Sequence, residues 1–300
     1  LAVEMFKASG LDIEKLRADG SARNFQPVPL KATLWADYKG KTEIITSKNV
    51  LGRITGSKYP DETVDYSAHW DHIGVGEPDA NGDTIFNGAL DNASGTASLL
   101  ELGRAFKAAG PVERSVLFLA VTAEEKGLLG STYYASNPVW PLGKTVGVLN
   151  MDGTIGPGPA RDFTISGTAR LGLLDMLIEE GRKVGRSYTP DPRVEAGGFF
   201  RSDHFPMAKV GVPAISFGGG IDLVNGGVAA GKAWRDAYIK DKYHQPDDEW
   251  SPDWNMEGAK LDMGLLYSLG RRLADGRDWP NWSQDSEFRA ARDVSAAERK

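Results

Sequence analysis

The stretch Val116-Leu-Phe-Leu-Ala-Val121-Thr-Ala-Glu124-Glu125-Lys-Gly127 decides the fold of this chain. Its unbroken apolar run reads as a strand buried on both faces, the mark of a parallel sheet with helices on each side. The run stops at two acids and a glycine. A carboxylate pair just past a buried strand lies where open α/β sheets place their ligands, beyond the carboxyl ends of the strands.

Working outward, the flanking segments repeat the arrangement. A strand is expected at 64–68, and His69 follows it directly in Ser67-Ala-His69-Trp-Asp71. A helix is expected at 93–109, with Leu99, Leu102, Phe106 and Ala109 on one face at helical spacing. Asp91 stands just ahead of it, where a carboxylate also meets free backbone N–H groups. Further strands are expected at 146–149, 163–165 and 214–217, and helices at 128–135, 171–184 and 259–273. Asp152 follows the strand at 146–149, and His244 lies in Tyr243-His-Gln-Pro246. Strand and helix alternate, so the chain reads as α/β: a mostly parallel, mixed central sheet flanked by helices on both faces.

Residues before 60 follow a different pattern. A short helix over 12–18 leads into a proline-bearing link, Gln26-Pro-Val-Pro-Leu30. Leu34, Ala36 and Tyr38 then alternate with polar partners, Lys39-Gly-Lys41 supplies a turn, and strands are expected at 42–46 and 49–54. The division expected is an N-terminal helix and linker over 1–30 and one catalytic domain over 31–300. Two long loops, 74–87 and 218–242, are expected to shape a site.

Three hundred residues, 41% hydrophobic and 25% charged, suffice for a large core without staples. A net charge of −6 with no basic block argues against a nucleic-acid partner, and no apolar run is long enough to span a bilayer. The absence of cysteine removes disulfides, thiolate-bound zinc and a thiol nucleophile. No Gly-x-Ser-x-Gly elbow occurs, which removes the usual serine hydrolase. The chain starts at Leu1 without an initiator Met or a signal stretch, and so reads as a processed protein or a piece of a longer one.

The chemistry lies in the residues at the strand ends: His69, Asp91, the Glu124–Glu125 pair, Asp152 and His244. Imidazole and carboxylate without thiolate suit zinc or another hard-to-borderline divalent ion. One catalytic zinc takes three protein ligands, so five donors fit two ions sharing a carboxylate. Asp71, two residues past His69, is placed to orient its ring. Each residue alone has a plainer reading: the acid pair as solvated surface, Asp91 as a helix cap, Asp152 as a turn residue, His244 as a loop histidine. Their joint placement at one sheet edge favours the metal. His72 reads as structural, and His204, in Arg201-Ser-Asp-His204, is open between core and site. Phe199, Phe200 and Phe217 are candidates for an apolar pocket or for the core.

Taken in order, His69-x-Asp71, Asp91-Asn-Ala-Ser-Gly95, Thr122-Ala-Glu-Glu125 with Gly127-Leu-Leu-Gly-Ser131, Asn150-Met-Asp152, Ser202-Asp-His204 and Tyr243-His-x-Pro-x-Asp-Glu249 resemble peptidase family M28, the co-catalytic zinc aminopeptidases, over roughly 45–275. The resemblance implies two Zn²⁺ ions, with Asp91, Glu125 and His244 on one and Asp91, His69 and Asp152 on the other. It also implies Glu124 as general base, Tyr243 as a donor to the developing oxyanion, a peptide substrate cut at its N-terminus, and a secreted or periplasmic location. A carboxypeptidase or dipeptidase would share every donor and need a cationic pocket, for which Arg201 is the candidate in the motif segments. A glutaminyl-cyclase-like enzyme would bind one zinc, and a non-catalytic binding module would have lost its donors.

Overall fold

The computed structural model describes residues 1–33 and 35–299, in two compact units, 1–46 and 47–300. The first unit holds two short helices, α1 (Ala2–Ala8) and α2 (Ile13–Gly20). Asp12 caps α2, its carboxylate accepting from the backbone N–H of Glu14 and Lys15 at 2.9 and 3.2 Å. Neither the strand expected at 42–46 nor one around Ala36 and Tyr38 forms; Leu34, part of the same expectation, lies outside the described residues. Alternation makes a strand only where a partner takes up its N–H and C=O groups, and Tyr38, Ile44 and Ile45 are exposed.

The second unit runs β1 (Val50–Ile54), β2 (Tyr59–His69), β3 (Gly74–Val75), β4 (Ile85–Phe86), α3 (Ser94–Ala108), β5 (Arg114–Val121), α4 (Leu129–Ser136), β6 (Thr145–Met151), β7 (Asp162–Ile165), α5 (Gly172–Lys183), β8 (Ser187–Tyr188), α6 (His204–Lys209), β9 (Ala214–Gly219), α7 (Gly227–Asp241), α8 (Glu257–Asp275) and α9 (Arg289–Val294). Its main sheet has the order β1-β5-β2-β6-β9-β7-β8. The central strands β5, β2, β6 and β9 are parallel, while β1 pairs antiparallel with β5 and β7 antiparallel with β9. This is the mixed, mostly parallel sheet expected.

Alternate residues of the strands bury on opposite faces. Val64, Tyr66 and Ala68 of β2 pack with Leu99, Leu102 and Phe106 of α3 and with Leu266, Leu269 and Leu273 of α8. Leu117, Leu119 and Val121 of β5 point to the other face, against Tyr134 of α4 and Met207 of α6. Each such large side chain contributes about 1.5–3 kcal/mol on leaving water, so both faces hold the sheet rigid beneath the site. The segment 218–242, expected to be a loop, contains the helix α7, in which Gly231 is the buried residue. A helix that buries so little of itself carries no amphipathic period to read.

Register brings the chemistry together. Ser67 lies opposite Asn150 and His69 opposite Val121. Two residues past the Ser67–Asn150 pair, His69 and Asp152 therefore come level, and Glu124 lies three residues past Val121.

Candidate metal centre

His69 ends β2, and its ring is only 1% exposed. Its Nδ1–H donates to the main-chain carbonyl of Asp71 at 2.9 Å. Asp71 thus orients the ring through its main-chain carbonyl, because the chain turns straight after the strand and brings that carbonyl under the imidazole. A carbonyl can only accept, so the tautomer is fixed and Nε2 is the nitrogen left facing the cluster. It lies 3.1 Å from Asp91 Oδ1 and 3.3 Å from Asp152 Oδ1.

His244 repeats the arrangement from the other side. Its Nε2 is 3.3 Å from Asp91 Oδ2 and 3.1 Å from Glu125 Oε2. The two oxygens of Asp91 therefore face different histidines, dividing the donors into His69–Asp152–Asp91 and His244–Glu125–Asp91. The donor atoms of His69, Asp91 and Glu125, and those of His69, Glu124 and Asp152, lie within 4.8 Å of one another, so the two groups form one continuous cluster.

The electrostatics call for positive charge. Burial pulls the His69 pKa down, but its hydrogen bonds to Asp152 and Asp91 win, and it is pushed up to about 12. The hydrogen bond to Asp91 likewise raises His244. Burial would raise Asp91, yet the facing His244 and His69 hold it lowered. Two carboxylates aimed at one imidazole nitrogen are tolerable only if a proton or a cation lies between them. Glu125 Oε1 is buried without a hydrogen bond, although His72 Nδ1 is 2.8 Å away. A hard or borderline divalent cation fits this donor set.

The loops that carry the donors are tied to one another. Both carboxylate oxygens of Asp248 accept from consecutive amides, Leu90 N and Asp91 N, each at 3.0 Å, and Tyr238 Oη donates to Oδ2 at 3.2 Å. Asn92 Nδ2 donates to the Met151 carbonyl at 2.9 Å, while its Oδ1 accepts from the N–H of Gly95 and of Gly153. A Cβ on Gly95 would lie 2.3 Å from that Asn92 oxygen and 2.5 Å from the Met151 carbonyl, so this position requires glycine. Ser67 Oγ donates to Asn150 Oδ1 at 2.7 Å, Asn150 Nδ2 to Ser202 Oγ at 2.8 Å, and Ser202 Oγ to Asp152 Oδ2 at 2.6 Å. Asp152 is thereby anchored through a chain that starts on the neighbouring strand.

Glu124 faces the His69–Asp152 side. Burial first, and the Asp152 charge next, push it up to about 9; added positive charge would lower it and favour the carboxylate. Tyr243 stacks on the His244 ring, with centroids 3.9 Å apart. Burial, then the Asp91 charge, raises its pKa, so the hydroxyl stays a donor.

Sequence reasoning took His72 as structural and gave no separate role to Asp248, Asn92, Asn150 or Ser202. The signal available for them was their position inside the motifs. His72 is buried beside Glu125 and edge-on to His244, with centroids 5.7 Å apart. His204 belongs to the core: it is fully buried, its ring packs edge-on against Phe199, and burial takes it down to about 3. Phe199 and Phe217 are core residues, while Phe200 lines the cleft. That cleft, of about 880 Å³, is lined by Asp91, Glu124, Glu125, Asp152, Tyr243 and His244 at one end. Arg201, Arg193, Arg235 and Lys209 also line it, so Arg201 is not the lone cation that the motifs suggested.

A doubly covered, mostly parallel sheet with a His–carboxylate cluster at its carboxyl edge places the site where open α/β sheets bind their ligands. The model of peptidase family M28 matches residues 49–264, and the chain belongs to that family. It is 36% identical over 130 residues to aminopeptidase NAALADL1 of Mus musculus, covering 41% of this chain and 16% of that protein. It is 36% identical over 176 residues to aminopeptidase YwaD of Bacillus subtilis, covering 57% of this chain and 35% of that one. The solved structure of BSAP, a zinc aminopeptidase from Bacillus subtilis, superposes with a TM-score of 0.56 at 21% identity, over 80% of this chain and 52% of that one. The chain thus spans about a third or less of these curated relatives. Among the described residues, no helix is long and apolar enough to cross a membrane.

Proposed function

We propose that this chain is a zinc-dependent aminopeptidase, with His69, Asp91, Glu125, Asp152 and His244 as ligands of two Zn²⁺ ions and Asp91 shared between them. The observation that carries the reading is the geometry of Asp91: one oxygen 3.1 Å from His69 and the other 3.3 Å from His244. The family and the names of the relatives support it.

Bound zinc would supply Lewis acidity and water acidified to near neutral pH. Asp71 holds the His69 ring in the tautomer that presents Nε2. A Glu124 carboxylate oxygen accepts the proton of the water that attacks the scissile carbonyl carbon. As the C–N bond breaks, the same oxygen returns that proton to the leaving nitrogen. Tyr243 Oη donates to the carbonyl oxygen while it carries negative charge. The surplus of carboxylates at this end of the cleft favours the ammonium group of a peptide N-terminus.

Peptides with a free N-terminus and an amidated C-terminus should be shortened from the front, and N-acetylated peptides with a free C-terminus should resist. Faster turnover of the acetylated series would overturn the aminopeptidase reading and favour a carboxypeptidase. The cations that also line the cleft are what give that second reading its support.

A further inference from the structure

The cleft wall at residues 196–201 is tied down by rings. Among the described residues, the main-chain hydrogen bonds of this stretch close on their own segment, as from Ala196 N–H to the Arg193 carbonyl and from Phe200 N–H to the Gly197 carbonyl. The buried member is Phe199. Its ring meets Phe200, His204 and Phe205 from its own neighbourhood, at centroid distances of 5.4, 4.9 and 6.0 Å. The ring contact from elsewhere in the chain is Phe288, stacked on Phe199 at 5.6 Å and 26°. Phe288 is half-buried and lies past residue 264, where the family match ends.

The stretch that carries Phe288 is anchored on both sides of it. Before it, the Trp282 indole N–H donates to the Gly211 carbonyl at 3.0 Å, and Ser283 N–H donates to the Arg170 carbonyl at 3.0 Å. After it, Arg292 Nη2 donates to the Thr145 carbonyl at 2.8 Å. Phe288 is thus a fixed ring against which Phe199 rests. One residue past Phe199, Phe200 is half out in the cleft, touching Phe205 at 5.2 Å, and both line it. Ser202, which donates to Asp152, has its own hold from Asn150 Nδ2 at 2.8 Å. Phe200 has only its ring neighbours. Removing Phe288 would open a void under Phe199, and with no outside main-chain bond to resist, Phe200 would follow it back.

We propose that Phe288 is a positioning residue for the cleft: by stacking under Phe199 it sets the place of Phe200, and Phe200 selects peptides with a large apolar side chain over those with a small one. The choice among substrates rests on the peptidase reading above; the coupling of Phe288 to Phe200 does not.

F200A, F288A and F200A/F288A are compared with the wild type on the series that it turns over, X-Gly-Gly-amide or acetyl-Gly-Gly-X, with Phe or Ala as X. F288A should raise KM for the Phe peptide relative to the Ala peptide about two- to tenfold, the scale of one aromatic contact, with kcat within twofold. F200A should do the same, and the double variant should add little to it, because Phe288 acts through Phe200. F288L, which keeps most of the volume, should restore most of the ratio. Zinc affinity, read by chelator competition, should stay unchanged. V112A, a buried loss just ahead of β5 and away from its carboxyl end, should lower the melting temperature and leave the ratio alone. Where F288A does not fold, F288V takes its place. An unchanged ratio in F288A, effects of F200A and F288A that add, loss of zinc in F288A, or an equal shift in V112A would each overturn the proposal. Melts of the four metal-free proteins give the coupling without turnover and serve also for a wild type that cleaves neither series; stability losses that add would overturn the link. A wild type that prefers the acetylated series would defeat the aminopeptidase reading alone.

Discussion

Asp248 is 1% exposed, and its carboxylate holds two successive amides of the turn that carries Asp91. Replacing it with Asn keeps the shape and removes the charge. One amide can still be bonded by the remaining oxygen, now as a neutral contact, which costs about 1 kcal/mol. The other amide meets an NH₂ group and is left buried without an acceptor, at about 1–3 kcal/mol. Tyr238 Oη can rotate to accept from that NH₂, so it adds little. Asp248→Asn should therefore destabilise by about 2–4 kcal/mol, or roughly 4–16 °C in Tm for a unit of this size. Asp91 would lose its fixed orientation, and loosening such a partner typically weakens metal binding about 10–100-fold. The measurements are a thermal melt of the metal-free protein and zinc competition against a chelator. A melt lowered as expected with zinc affinity within twofold of wild type would refute the link from Asp248 through Asp91 to the metal.

The other expectations concern the cluster directly. Glu124→Gln should lower kcat about 10²–10⁴-fold with zinc content unchanged; loss of zinc would mean that Glu124 and Glu125 have exchanged roles. Elemental analysis after zinc supplementation should find two equivalents per chain in the wild type, and one equivalent would favour a cyclase-like single-ion site. Without metal, Glu124 titrates near 9 instead of 4.5, so between those values the folded state holds a proton that the unfolded state has lost. Stability of the metal-free protein should thus fall as pH rises from about 4.5 to 9. His69, pushed up to about 12, continues the fall above pH 6.5, and Asp65 and Asp203, each raised to about 7 by burial, share the sign. Glu124→Gln should flatten that slope in melts taken across the range, and an unchanged slope would show that Glu124 does not hold the proton.

The run at 116–121 and the acids and histidines past the strand ends were legible in the sequence because burial on both faces of a parallel strand leaves no polar residue to interrupt it. Position after a strand is likewise a one-dimensional property, which is why His69, Glu125 and Asp152 could be named before any geometry, whereas Asp91 and His244 rested on their motifs. Segments whose order comes from partners carried no such mark: Ala36 to Thr46 alternates without pairing, and α7 forms without an amphipathic period. Tertiary structure alone decided that the two oxygens of Asp91 face different histidines, that Asp71 acts through its carbonyl, and that Asp248 braces a turn more than 150 residues away in sequence. Only the folded chain brings Arg193, Arg201 and Arg235 to the same cleft. The physical reason is the same throughout: residue type and local period record how much surface a segment buries, whereas the direction of a hydrogen bond or the meeting of two charges depends on register and loop path, which are fixed only when distant segments pack.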